Sequence, residues 1–184
     1  MPKSRLTSAV HPAQRGGHLI TLEGGEGAGK STLAQWLEAR ARAEGYEAIF
    51  LREPGGTIIS EQIREVVLSA KNEGIANETE VLLFQAARAQ IYAQLVLPAL
   101  AAGQTVIMDR SRDSSVVYQG LVRGFGRDLI EDLNEFSTQA TVPNLTLLLD
   151  VPVELGLARC RAVGENNRLD IESATFHERV RVAY

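Results

Sequence analysis

Cysteine is nearly absent: Cys160 is the only one in 184 residues, alongside one tryptophan and two methionines. A single cysteine excludes an internal disulfide framework and points to a reducing compartment. No apolar stretch approaches the ~20 residues that cross a bilayer, so a membrane-spanning helix is excluded. An excess of basic charge is missing too. With 19 Lys and Arg against 23 Asp and Glu the formal charge is −4. No global positive field therefore draws in duplex nucleic acid or acidic lipid. What is present is ordinary globular composition, 45% hydrophobic and 23% charged, at a length typical of one domain. The expectation is a soluble, cytoplasmic, single-domain protein with neither nucleic acid nor membrane as partner.

Residues 1–17 carry Pro2, Pro12, Gly16 and Gly17, three basic residues and no acid, without apolar periodicity. They read as a flexible tail, a targeting signal being the alternative. From His18 to Tyr184 short apolar runs alternate with amphipathic stretches. The runs His18–Leu22, Ala48–Arg52, Thr105–Met108 and Leu145–Leu149 read as strands of a covered parallel sheet. Helices are expected over Lys30–Glu44, Ser60–Ala70, Asn77 to about Leu100, Ser114–Val122, Asp128–Gln139, Val153–Ala162 and Ala174–Tyr184. Asn77 with Glu80 resembles a capping box, and Pro98 is expected to kink or break the long helix. The alternation means an α/β fold, a parallel sheet with helices on both faces. Ligands of such sheets sit beyond the strand carboxyl ends.

After the first run comes Gly24-Gly25-Glu26-Gly27-Ala28-Gly29-Lys30-Ser31, a full match to G-x-x-x-x-G-K-[ST]. Backbone N–H groups in such a loop turn inward around phosphate oxygens, and the following helix offers its positive end to the anion. Lys30 is expected on the β- and γ-phosphates and Ser31 on Mg²⁺. The chain thus reads as binding a nucleoside triphosphate through residues 24–32, Thr32 included. Glu26 inside the cradle would repel a triphosphate. It faces either a second ligand, such as a sugar hydroxyl, or solvent. Asp109-Arg110 ends the third strand, where an acid holds Mg²⁺ and an arginine clamps phosphate. Asp150 is the rival acid. Phe84 and Arg88 share a helix face, an arrangement that can stack a base and read a carbonyl but that by itself is more often core packing with a snorkelling arginine. Arg159 and Arg161 face either an adenine or solvent. Cys160 reads as a small apolar residue.

The blocks Glu23–Thr32, Arg52-Glu53-Pro54-Gly55-Gly56-Thr57, and Asp109-Arg110 with Ser114, Ser115 and Tyr118-Gln119-Gly120 resemble bacterial thymidylate kinase over nearly the whole chain. The resemblance implies the P-loop nucleoside monophosphate kinase fold and a homodimer. It implies transfer of the ATP γ-phosphoryl to dTMP with Mg²⁺, yielding dTDP. It places Phe84 and Arg88 on thymine, Arg52 and Arg110 at the acceptor phosphate and sugar side, and Pro54 near the base methyl. Ser115 and Gln119 fall around the pyrimidine, Tyr118 against the sugar 2′ position and Glu26 on the 3′-hydroxyl side. It also implies a lid over about 163–172 whose Arg168 adds catalytic charge beside Lys30, Asp109 and Arg110. Val163 departs from related lids, which often carry another arginine there. A further strand and closing helix, expected in the family beyond the position of Tyr184, do not follow here. The alternatives are a kinase for another monophosphate such as dUMP, or an inactive nucleotide-binding module.

Overall fold

The computed structural model describes residues 16–72, 74–164 and 167–184. Of the expected tail only Gly16 and Gly17 fall among them, Gly17 buried where a Cβ would meet Leu100 and Gln104. Four parallel strands, β1 (His18–Glu23), β2 (Ala48–Arg52), β3 (Thr105–Asp109) and β4 (Leu145–Leu148), form one sheet in the order β2-β3-β1-β4. Parallel neighbours need long crossovers, and the helices supply them: α1 (Lys30–Ala43), α2 (Ile58–Leu68), α3 (Asn77–Ile91), α4 (Leu97–Ala101), α5 (Arg112–Ser115), α6 (Arg127–Ser137) and α7 (Val153–Val163). α8 (Ala174–Ala183) follows the segment expected as a lid.

The period-two alternation of strands divides the core between the two sheet faces. Leu19, Val106 and Met108 pack under Ile91, Tyr92, Val96 and Leu100. Leu22 and Ile107 point the other way, against Ala34 of α1 with Leu33 and Leu37 beside it. A third cluster joins α8, through Phe176 and Val180, to Val117, Tyr118 and Val122. Each fully buried leucine contributes about 1.5–3 kcal/mol.

Three expectations change. The expected long helix is interrupted by a π-helical turn, Tyr92–Val96, which runs directly into α4 with Pro98 in its first turn. A second π-helical turn, Val116–Val122, follows α5. Asn77 is no capping residue: Ala76 precedes the helix, no side chain caps it, and Glu80 is buried in other bonds. Finally, β4 is not covered. It pairs with β1 alone, and Leu145 and Leu148 stand half exposed, so it is an edge strand among the described residues.

Candidate active site

In the sheet register Leu22 lies opposite Asp109, which sets the ends of β1 and β3 side by side. This is where strand order reverses and where such sheets bind ligands. The loop leaving β1 turns at Gly27, whose φ of +64° and contact with Gly156 of α7 admit no side chain. Gly29, also left-handed, opens α1. Lys30 is buried and donates from Nζ to Gly24 O (3.1 Å) and Gly25 O (2.7 Å). Burial and the nearby Arg110 charge lower its pKa to about 8. Ser31 Oγ donates to Asp109 Oδ2. Thr32 is exposed at the start of α1, and Ala28 is buried in the loop. Asp150, the rival acid, is exposed and paired with Arg181 (2.6 Å) instead. Arg159 Nη1 donates to Gly27 O (3.1 Å) at the outer side of the cradle.

Glu26 turns away from the cradle. Its Oε1 accepts from Arg110 Nη2 at 2.7 Å and from the Tyr118 hydroxyl at 3.0 Å. Burial alone would raise its pKa, but the Arg110 and Lys30 charges hold it at about 2. Arg110 occupies the left-handed region, φ +66°, which costs a non-glycine residue about 1–2 kcal/mol. Its guanidinium lies 5.1 Å from the Tyr118 ring centroid and donates to Ser114 Oγ (3.2 Å) and the Tyr184 hydroxyl (3.3 Å). Beneath it, Glu23 at the end of β1 accepts from Ser111 N (2.8 Å), Ser114 Oγ and the Tyr184 hydroxyl (3.0 Å). Burial raises the Glu23 carboxyl to about 7.

Beyond Arg110 opens a cleft whose lining includes Pro54, Phe84, Arg88, Ser115, Tyr118 and Gln119. All six had been expected around the acceptor. Arg88 is 2% exposed and nearly saturated. Nε donates to Glu53 Oε2 (2.7 Å), Nη1 to Ser115 Oγ (3.0 Å) and Asn134 Oδ1 (2.7 Å), and Nη2 to Ser111 O (2.9 Å). Of five guanidinium N–H groups these bonds occupy four. Burial raises the Glu53 carboxyl, and its Oε1 has no partner.

Two expected residues sit elsewhere. Arg52 pairs with Glu61 (3.0 Å) at the surface, while Arg64, not anticipated, lines the cleft and donates to Pro54 O (2.8 Å). Arg168 is 8% exposed and held away from the cradle: Nη2 donates to Glu80 Oε2 (2.6 Å) and Nε to Val67 O (3.1 Å). Asn167 and Leu169 line the same cleft as Phe84 and Arg88. Residues 165 and 166 of the expected lid lie outside the described residues. Sequence reading also passed over Glu23, Glu80, Asn134, Gly156 and Tyr184 as functional candidates. For Glu23 a signal existed, a carboxylate ending the strand immediately before the glycine-rich loop; Asn134, Gly156 and Tyr184 offered none.

A phosphate cradle after a buried parallel strand, joined by one ion pair to a second cleft that offers both a base-sized apolar wall and a guanidinium, defines a P-loop nucleotide kinase. The sequence profile described as Thymidylate kinase matches residues 22–184. The thymidylate kinase of Pseudomonas putida strain F1 is 48% identical over 168 residues, covering 91% of this chain and 80% of that protein. That of Latilactobacillus sakei is 47% identical over 171 residues, with the same coverage. The crystal structure of thymidylate kinase from Ehrlichia chaffeensis superposes with a TM-score of 0.71 at 30% identity, covering 91% of this chain and 84% of the other. The chain belongs to the thymidylate kinase family, and it is a kinase that phosphorylates dTMP to dTDP.

Proposed function

We propose that ATP lies along the cradle, dTMP fills the cleft, and Arg110 stands at the junction where the phosphoryl group passes. The Glu26–Arg110 pair carries this reading, because it ties the cradle to the acceptor side through one bond. An oxygen of the dTMP phosphate attacks the γ-phosphorus, the bond to the β,γ-bridging oxygen breaks, and ADP leaves. A phosphate monoester is largely ionised near pH 7 (second pKa about 6), so no strong general base is required. Catalysis rests on in-line placement and on cancelling charge over the transferring oxygens. This charge is assigned to Lys30 and Arg110; Arg168, bonded to Glu80, adds its own only if it leaves that bond.

Ser31 and Asp109 offer two hard oxygen donors in mutual contact at the cradle mouth, a set that suits Mg²⁺. When bound there the ion would neutralise phosphate charge. Phe84 stacks the base, the free Arg88 N–H meets a carbonyl, and Tyr118 with Glu26 crowds the sugar. Arg52 serves the acceptor phosphate only after leaving Glu61. No helix among the described residues is long and apolar enough to cross a membrane, and the proposed location is the cytoplasm. Val66 and Leu82, exposed on the packed pair α2 and α3, supply the proposed homodimer face, checked by sedimentation equilibrium.

The test is an ADP-release panel with dTMP, dUMP, dCMP, dGMP and thymidine. dTMP is expected to be best. dUMP, one methyl smaller, is expected about 10–200-fold behind in kcat/KM. ATP binding without ADP release for any acceptor would leave only a binding module.

A further inference from the structure

Glu80 lies in the first turn of α3, where a carboxylate would ordinarily face solvent, yet it is 1% exposed. Its Oε1 accepts from Gln119 Nε2 at 2.9 Å and its Oε2 from Arg168 Nη2 at 2.6 Å. Arg123 approaches both oxygens at 3.4–3.5 Å and is itself paired with Glu172 at 2.6 Å. Burial disfavours the charge, but the bonds from Gln119 and Arg168 and the Arg123 charge hold the carboxyl below its usual range. It is therefore an anion, and an ionised carboxylate only accepts hydrogen bonds.

That restriction fixes a side chain of the cleft. Gln119 must present its NH₂ group to Glu80, so its carbonyl oxygen is turned to the other side. Gln119 lines the cleft, and among the described residues no group donates to its Oε1. Arg168 and Arg123 on the same carboxylate stop it from rotating. Across the cleft, Arg88 has one N–H to offer.

We propose that Glu80 is a positioning residue for base selection, holding the Gln119 amide so that the cleft presents an acceptor beside the Arg88 donor. This rests on the reading that the pyrimidine of dTMP occupies the cleft between Arg88 and Gln119. The donor–acceptor pair matches a carbonyl next to a ring N–H, as in thymine and uracil. Cytosine offers the reverse, an amine next to a bare ring nitrogen, and would leave buried polar groups unpaired. Sites that read hydrogen-bonding groups in this way discriminate far more strongly than apolar pockets do.

The experiment compares kcat/KM for dTMP and dCMP in the wild type, Glu80→Gln, Gln119→Ala and the double variant. A glutamine at 80 can accept or donate, which frees the Gln119 amide to invert. The dTMP/dCMP preference is expected to fall about tenfold or more in Glu80→Gln, through dTMP KM more than kcat. It should fall as far in Gln119→Ala, and no further in the double variant. A purely structural role would lower the melting temperature without that pattern. If Glu80→Gln fails to fold, Glu80→Asp, which withdraws the charge by one methylene, carries the same comparison. An unchanged preference in a folded position-80 variant, with Gln119→Ala altered, overturns the role of Glu80 alone. Gln119→Ala and Arg88→Met both leaving dTMP KM unchanged would overturn the placement of the base itself.

Discussion

Arg110 Nη2 and Glu26 Oε1 meet at 2.7 Å, and this bond is the only ion pair among the described residues that joins the phosphate cradle to the residue after β3. Arg110→Ala is expected to lower kcat about 10²–10³-fold, the loss typical of removing one charge-stabilising donor. It also leaves Glu26 with Tyr118 and Lys30 but no ion-pair partner, costing less than the ~3–5 kcal/mol of a fully buried pair because both partners keep some exposure. Adding Glu26→Gln to Arg110→Ala should restore stability without restoring rate. Chemical denaturation and steady-state kinetics on the two variants separate the effects.

The two cradle carboxylates give stability opposite pH dependences. Glu26, depressed to about 2, contributes stability that is complete above the unfolded value near 4.5 and lost as pH falls from there towards 2. Glu23, raised by burial to about 7, contributes stability that is complete below 4.5 and lost as pH rises through 7. Glu23→Gln is thus expected to flatten the unfolding free energy between pH 4.5 and 7 and leave the acid limb in place. A denaturation series across pH 3–8 reads both limbs.

Gly156 of α7 packs where a Cβ would strike Glu26 O in the cradle. The obstacle is backbone, so it yields only if the loop moves. Gly156→Ala should cost about 1–3 kcal/mol as overpacking does and raise the KM for ATP several-fold. An unshifted melting curve with normal ATP kinetics would show that the loop and helix separate freely.

Arg168 is bonded to Glu80, Val67 and Leu68, on the acceptor side. From this position Arg168→Ala is expected to raise dTMP KM and lower the melting temperature. A fall in kcat at constant KM would instead show that the arginine leaves Glu80 for the cradle during turnover. Pre-steady-state burst kinetics with dTMP distinguish the two.

The four strands and the cradle were legible because their signals are local: an apolar run, then glycines before Lys30. Phe84, Arg88 and Gln119 line one cleft, while helical spacing alone leaves the pair Phe84 and Arg88 closer to a core reading. Glu80 misled because its spacing from Asn77 imitates a cap, and only the fold shows three donors converging on it. Tyr184 and Asn134 lay beyond reach for the same reason: their partners, Glu23 and Arg88, are 161 and 46 residues away. The expectation that β4 is covered is not met among the described residues, because apolar composition does not say what packs beside a strand.

The sheet order also dictates when the site can exist during synthesis. Among the described residues no two neighbouring strands are antiparallel, so no hairpin of theirs can seed the sheet. β1 emerges first, but its partners begin at Thr105 and Leu145, the latter pairing with Ile20. Such distant pairings incur their loop-closure entropy before any contact repays it. On a ribosome adding about 5–20 residues per second, the cradle waits several seconds after its own synthesis for the strands that lock it. Until then its glycines and the apolar face of β1 are open to solvent and to other chains. The earliest part of the active site to be translated is among the last to be fixed.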